Sequence, residues 1–96
     1  MSELVSKAVD EINAKLQGGG IEESVKFVIE NEGSFIIDRA GARISDEAAE
    51  CTVSASAETF RGLRDGTINP ATAYMTGKVK IAGNMAAAMQ LGPILS

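Results

Sequence analysis

Residues 23–30 and 34–40 alternate apolar and polar side chains, and this alternation constrains the fold more than any other feature of the sequence. In an extended chain, alternate side chains point to opposite faces, so each stretch presents one apolar face. The residues of that shared face are Val25, Phe27, Ile29, Phe35 and Ile37. Residues 31–33, with the sequence Asn-Glu-Gly, are typical of a turn. The pattern predicts an antiparallel hairpin whose apolar face has to be covered by another layer.

Four helices are predicted from apolar spacing and from capping residues. The first spans Glu3–Leu16, where apolar residues recur at helical spacing, and a glycine triplet ends it. The second covers residues 57–64, after a serine that can cap it, and the third covers residues 70–76, after an Asn-Pro pair typical of a helix start. A last helix, residues 85–91, is built from Ala, Met and Leu.

Further strands are predicted within residues 50–58 and at residues 78–82, both of which alternate. We expect Gly41 to end the second strand of the hairpin and the acidic residues 43–50 to form a loop. The predicted order is therefore helix, three strands, two short helices, strand and helix. This order is typical of an α+β fold in which helices cover one face of a mainly antiparallel sheet.

The composition narrows the class of protein. With 96 residues, we expect one domain spanning residues 1–96. The net charge of −4 and the absence of a basic stripe argue against nucleic acid as a partner. Histidine, the commonest general base and metal ligand, is absent, so we expect no enzyme, no catalytic residues, no metal site and no cofactor. A single cysteine, Cys51, and the lack of a signal peptide, a membrane span or a peroxisomal address predict a cytoplasmic protein.

Residues 67–91, TINPATAYMTGKVKIAGNMAAAMQL, closely resemble the signature end of the sterol carrier protein 2 (SCP-2) domain family. The resemblance consists of the Asn-Pro helix start, the Gly-Lys pair, the alternating basic and apolar strand, and Gly-Asn-Met before an Ala/Met/Leu helix. Residues 50–66 are similar to the preceding strand and helix of that family.

The resemblance implies a five-stranded sheet, helices over one face, and an apolar tunnel between the two layers. It also implies a protein that binds a sterol, fatty acid, fatty acyl-CoA or phospholipid and carries it, with transient membrane contact. The oligomeric state is left open. The residues expected to line the apolar pocket are Phe27, Phe35, Val53, Phe60, Leu63, Tyr74, Met75, Ile81, Met85, Met89 and Leu91.

Two alternatives remain open from the sequence. Each predicted pocket residue could simply fill the core, since pocket walls and cores have the same composition. The methionine-rich last helix could instead dock on a partner, which would make the chain a protein-interaction module. Lys78 and Lys80 fit either a solvated strand face or a contact with anionic headgroups.

Overall fold

The computed structural model of the chain describes residues 3–84 and 86–87. In chain order, the elements are α1 (Glu3–Leu16), β1 (Val25–Ile29), β2 (Gly33–Asp38), β3 (Gly41–Ile44), β4 (Cys51–Ala55), α2 (Ala57–Asp65), α3 (Pro70–Met75) and β5 (Val79–Gly83). Residues 86 and 87 are helical, and the rest of the predicted last helix, residues 85–91, lies outside the described residues.

The five strands form one sheet in the order β3-β2-β1-β4-β5. The predicted hairpin is confirmed, since β1 and β2 pair antiparallel with Phe27 opposite Phe35. Strands β2 and β3, and β4 and β5, are antiparallel as well. The central pair, β1 and β4, is parallel with Phe27 opposite Val53, so the sheet is mixed. The predicted α+β fold with a mainly antiparallel, five-stranded sheet is confirmed.

Strand β3 corrects the prediction that Gly41 ends the second strand and that residues 43–50 form a loop. The chain leaves β2 at Asp38, turns through two residues, and pairs again from Gly41 to Ile44. The turn is held by the Asp38 carboxylate, which accepts a hydrogen bond from the Ala40 N–H at 2.9 Å, and Gly41 adopts a φ of 110°. Strand β3 has only four residues, Gly-Ala-Arg-Ile, and this is too short a stretch for an alternating pattern to be recognised in the sequence.

Helix α1 covers β2 and β3 with one apolar stripe. The buried residues of this stripe are Leu4, Val5, Ala8, Val9 and Ile12. At its C-terminal end, Asn13 spans the gap to edge strand β3: its Nδ2 donates to the Ala42 carbonyl at 2.9 Å, and its Oδ1 accepts from the Ala42 N–H at 2.8 Å. Both backbone groups of Ala42 are thus satisfied by the helix rather than by another strand.

The opposite face of the sheet is crossed by residues 45–50, which we call the crossing segment. It connects β3 at the edge to β4 and therefore passes over β2 and β1. Lys26 on β1 binds Asp46 at 2.7 Å, and Ser34 on β2 donates to the Ser45 carbonyl at 2.9 Å. These side chains alternate with Phe27 and Phe35, so the crossing segment lies on the face away from the helices.

Candidate functional site

The three phenylalanines of the chain meet at the centre of the covered face. The rings of Phe27 and Phe35 are stacked, with centroids 5.2 Å apart, because the two residues are strand partners. Phe60 of α2 meets both rings edge-on, at 5.8 Å and 6.0 Å. Stacked and edge-on pairs at these separations are favourable geometries for aromatic rings.

The capping residues at the two ends of helix α2 fix which of its side chains face this cluster. The Ser56 side chain accepts a hydrogen bond from the Thr59 N–H at 3.1 Å, and Gly66 ends the helix in the left-handed conformation, with a φ of 81°. The register that results turns Phe60 and Leu63 inwards. Arg64 on the same helix pairs with Glu11 of α1, which ties the two helices together above the sheet.

Helix α3 and strand β5 complete the other side of the covered face. The Asn69 side chain accepts from the N–H groups of Ala71 and Thr72, at 2.9 Å and 3.2 Å, and so starts α3 as the sequence predicts. The buried residues on this side are mostly small: Cys51, Ala55, Ala73, Val79 and Ala87. These small side chains belong to the same buried cluster as the phenylalanines.

The covered face is almost free of polar groups. Among the described residues, Thr59 is the one buried polar side chain, and its hydroxyl oxygen accepts from the Ser56 hydroxyl at 3.0 Å. Within the same part of the chain, no buried side-chain nitrogen or oxygen lacks a hydrogen-bond partner. No group of three or more potential metal ligands occurs among residues 3–84 and 86–87. A buried surface of this composition suits contact with an apolar molecule.

The charged residues with a shifted pKa lie on the other face. A hydrogen bond from Lys26 lowers the pKa of Asp46 below its ordinary value. The pKa of Asp38 is also lowered, chiefly by a hydrogen bond from Arg43, against a smaller opposing effect of desolvation. The pair of Lys26 and Asp46 holds the crossing segment on β1, whereas the pair of Asp38 and Arg43 joins β2 to β3.

The structure brings five of the predicted pocket residues into one buried cluster: Phe27, Phe35, Val53, Phe60 and Leu63. Ile81 packs against this cluster and is partly buried. Tyr74 and Met75, at the end of α3, are 44% and 83% exposed. Met85, Met89 and Leu91 lie outside the described residues. Contact with a ligand stays a prediction for all eleven.

The sequence analysis missed two residues of the interior, Ala73 within the cluster and Ile68 packed against it. Ala73 is buried on the inner side of α3, and Ile68 fills the space beside Gly62, where an added Cβ would lie 2.3 Å from the Ile68 Cδ1. Ile68 lies in the short connection between α2 and α3, and its position there was the only feature of the sequence that could have identified it. Its N–H donates to the Gly62 carbonyl at 3.0 Å, and no periodic pattern encodes that contact.

Solved structures place this arrangement in a known class of domain. Sterol carrier protein 2 from Aedes aegypti, determined in complex with the C16 fatty acid palmitate, superposes with a TM-score of 0.79 at 20% identity and covers 100% of this chain and 97% of its own. The sterol carrier protein 2 like 2 protein of the same organism gives a TM-score of 0.77 at 18% identity over 94% of both chains. At these identities the likeness shows the fold, which is that of the sterol carrier domains.

Sequence comparison then defines the family. The profile of the SCP-2 sterol transfer family matches residues 3–96, and the chain belongs to that family. The human protein sterol carrier protein 2 is 45% identical over 47 residues, and the rat protein matches equally. This match covers 49% of the chain and 9% of the human protein, so the chain spans only a small part of the length of these relatives.

Proposed function

We propose that this chain is a lipid carrier, which holds a sterol, a fatty acid, a fatty acyl-CoA or a phospholipid between the sheet and its helices. The observation that carries the proposal is the polarity of the covered face. Its buried residues are apolar apart from Thr59, in a domain with the fold of a protein solved with palmitate. An acyl chain or a sterol ring needs this kind of surface, because each CH₂ removed from water contributes about 0.8 kcal/mol.

The ligand contacts that we propose are the eleven residues predicted from the sequence. Phe27 and Phe35 on the sheet would form part of the floor, Phe60 would face them from α2, and Tyr74 and Met75 would lie at the margin. A dry, vacant pocket of about 300 Å³ would cost at most about 7 kcal/mol, at the ~24 cal/mol per Å³ found for core truncations. A domain of this size has only about 5–15 kcal/mol of stability. We therefore propose that the pocket does not stay dry and vacant: without added ligand it partly collapses, admits water or retains a lipid from the host.

The first experiment is native mass spectrometry of the gently purified chain, followed by delipidation and thermal unfolding. We expect an adduct with the mass of a lipid. We also expect a lower Tm after delipidation, which a fatty acid restores, because a ligand that binds only the folded state stabilises it. A lipid-free mass together with a Tm that fatty acids do not change would refute the proposal.

A second experiment separates a pocket from a solid core. Ala55→Leu and Ala73→Leu add volume at two buried positions beside the small residues of the covered face. If lipid occupies that space, each variant loses affinity for a fluorescent fatty acid while the delipidated protein keeps or gains stability. If the space is solid, each variant loses about 1–3 kcal/mol of stability from overpacking. Ala14→Leu, on the exposed side of α1, is the matched control.

Four further expectations belong to the same proposal. The family is one of lipid carriers, and we propose that this member has no enzymatic activity of its own. We also propose a single domain that acts in the cytoplasm and makes transient contact with membranes. Among the described residues, no helix is both long enough and apolar enough to cross a bilayer.

A further inference from the structure

Charge is distributed unevenly along the chain. All 13 acidic side chains lie within residues 3–65, whereas residues 66–96 carry two lysines and no acidic side chain. Both lysines, Lys78 and Lys80, are exposed on or beside edge strand β5. The stretch of chain that forms α3 and β5 therefore contributes only positive charge, although the chain as a whole carries a charge of −4.

The two lysines have no acidic partner within the described part of the chain. Lys26, Arg43 and Arg64 all form ion pairs there, whereas neither Lys78 nor Lys80 forms one. In strand register, Lys80 faces Ser54 of β4.

The same stretch of chain carries the most exposed large apolar side chain of the described residues. Met75 is 83% exposed and its neighbour Tyr74 is 44% exposed. Leaving a methionine in water has no structural benefit, whereas methionine adapts readily to an irregular apolar partner. Tyrosine combines an apolar ring with a polar hydroxyl, which suits the boundary between water and an apolar phase.

Hydrogen bonds order the backbone that carries these side chains. The Lys78 N–H donates to the Ala73 carbonyl at 2.9 Å, and the Gly77 N–H donates to the Tyr74 carbonyl at 3.2 Å. Gly77 has a φ of 80°, so the two bonds form a Schellman motif at the end of α3. Tyr74, Met75 and Lys78 are thereby carried on one ordered turn, so little backbone entropy is lost when a partner binds them.

We infer that this tip, defined as Tyr74, Met75, Lys78 and Lys80, is the surface with which the protein docks on anionic lipid bilayers. Met75 inserts among the acyl chains at the interface, and the lysine ammonium groups remain at the headgroups. The acidic remainder of the molecule is repelled by the same surface, so only this end approaches it. The inference rests on the proposed carrier function only in so far as a carrier has to meet a membrane.

The test uses the absence of tryptophan from the chain. In the Met75→Trp variant the only indole lies at the tip, and the exposure of the position makes the substitution compatible with folding. We expect a blue shift of its emission, and quenching by brominated acyl chains, on vesicles of phosphatidylcholine with phosphatidylserine. On phosphatidylcholine alone the shift should be much weaker. Ala14→Trp, exposed on α1, is the control and should not shift.

Charge is tested in the Met75→Trp background. Lys78→Gln/Lys80→Gln should lower partition into the anionic vesicles about 30-fold, since each lysine near such a surface contributes about a fivefold factor. Lys7→Gln/Arg61→Gln removes the same charge from exposed positions elsewhere and should have a small effect. An equal loss in both double variants, an equal shift in Ala14→Trp, or no shift at all would overturn the inference. Binding of fatty acid in solution, measured without vesicles, tests the carrier function separately.

Discussion

The two faces of the sheet are made by alternate residues of the same strands, yet they are held by different forces. On the covered face, Phe27 and Phe35 pack with Phe60 into an apolar cluster beneath the helices. On the opposite face, Lys26 holds the acidic crossing segment by an ion pair, and one fully buried isoleucine, Ile36, lies between Lys26 and Arg43 in register. Burial supplies the stability of the first face and exposed charges fix the second, so the two should respond differently to mutation and to pH.

The largest effect is expected on the covered face. Phe60→Ala removes a side chain with 0% exposure from the aromatic cluster and should destabilise the protein by about 3–5 kcal/mol. Urea unfolding followed by circular dichroism measures this loss. Tyr74→Ala, at the exposed end of α3, is the aromatic control and should change stability by less than about 1 kcal/mol. If Phe60→Ala and Tyr74→Ala lost similar amounts of stability, the covered face would not owe its stability to the buried aromatic cluster.

A smaller effect is expected beneath the charged layer. Ile36→Ala removes a side chain that is 2% exposed, but its neighbours are flexible charged stems that can partly close the gap. We expect a loss of about 2 kcal/mol, near the lower end of the range for such truncations. Ile44→Ala, at 39% exposure, serves as control and should lose less in the same urea titration. A loss as large as that of Phe60→Ala would mean that the opposite face is a second true core.

The smallest effect concerns the ion pairs, and it depends on pH. Because the pKa of Asp46 is lowered in the folded protein, the carboxylate contributes stability above its ordinary value of 3.8 and loses that contribution as the pH falls through the lower, folded-state pKa. The pKa of Asp38 is also lowered, so its contribution to stability is lost in the same direction, as the pH falls. Asp46→Asn should therefore make the urea midpoint fall less steeply between roughly pH 5 and pH 3.

The control for this pH experiment is Asp10→Asn, which removes a carboxylate that forms no ion pair with the described residues, from the exposed side of α1. Its profile should follow that of the parent protein. Since exposed pairs are screened by salt, the difference between the parent and Asp46→Asn should also shrink in high salt. A steeper fall in the Asp46→Asn variant would contradict the role given to the pair with Lys26.

The sequence predicts the parts of this fold that depend on patterns within a few residues better than the parts that depend on residues far apart in the chain. The hairpin of β1 and β2 and the start of α3 were predicted correctly, because alternation and the Asn69-Pro70 pair act over a few residues. The parallel pairing of β1 with β4 could not be predicted, since residues far apart in sequence are joined only after the crossing segment has passed over the sheet. Strand β3 was too short for its alternation to be recognised.

In the candidate site too, local patterns were predictable from the sequence and contacts between distant residues were not. Periodicity placed Phe27 and Phe35 on one face of the hairpin, whereas their contact with Phe60 of α2 depends on the tertiary fold. It could not tell that Met75 faces solvent, because a helix of six residues makes fewer than two turns and presents no clear stripe. The sequence therefore predicts the apolar interior better than the boundary at which a ligand would enter or a membrane would bind.

The hydrogen bonds of Asn13 to Ala42 have a consequence for how the molecule avoids self-association. An unpaired sheet edge can act as a template on which a strand from another molecule is added, which is a first step towards fibrils. Here both backbone groups of Ala42 are already occupied by a helix side chain. Protection of that edge thus lasts only while the C-terminal turn of α1 stays folded, so fraying of this one turn and the onset of aggregation should rise together with temperature.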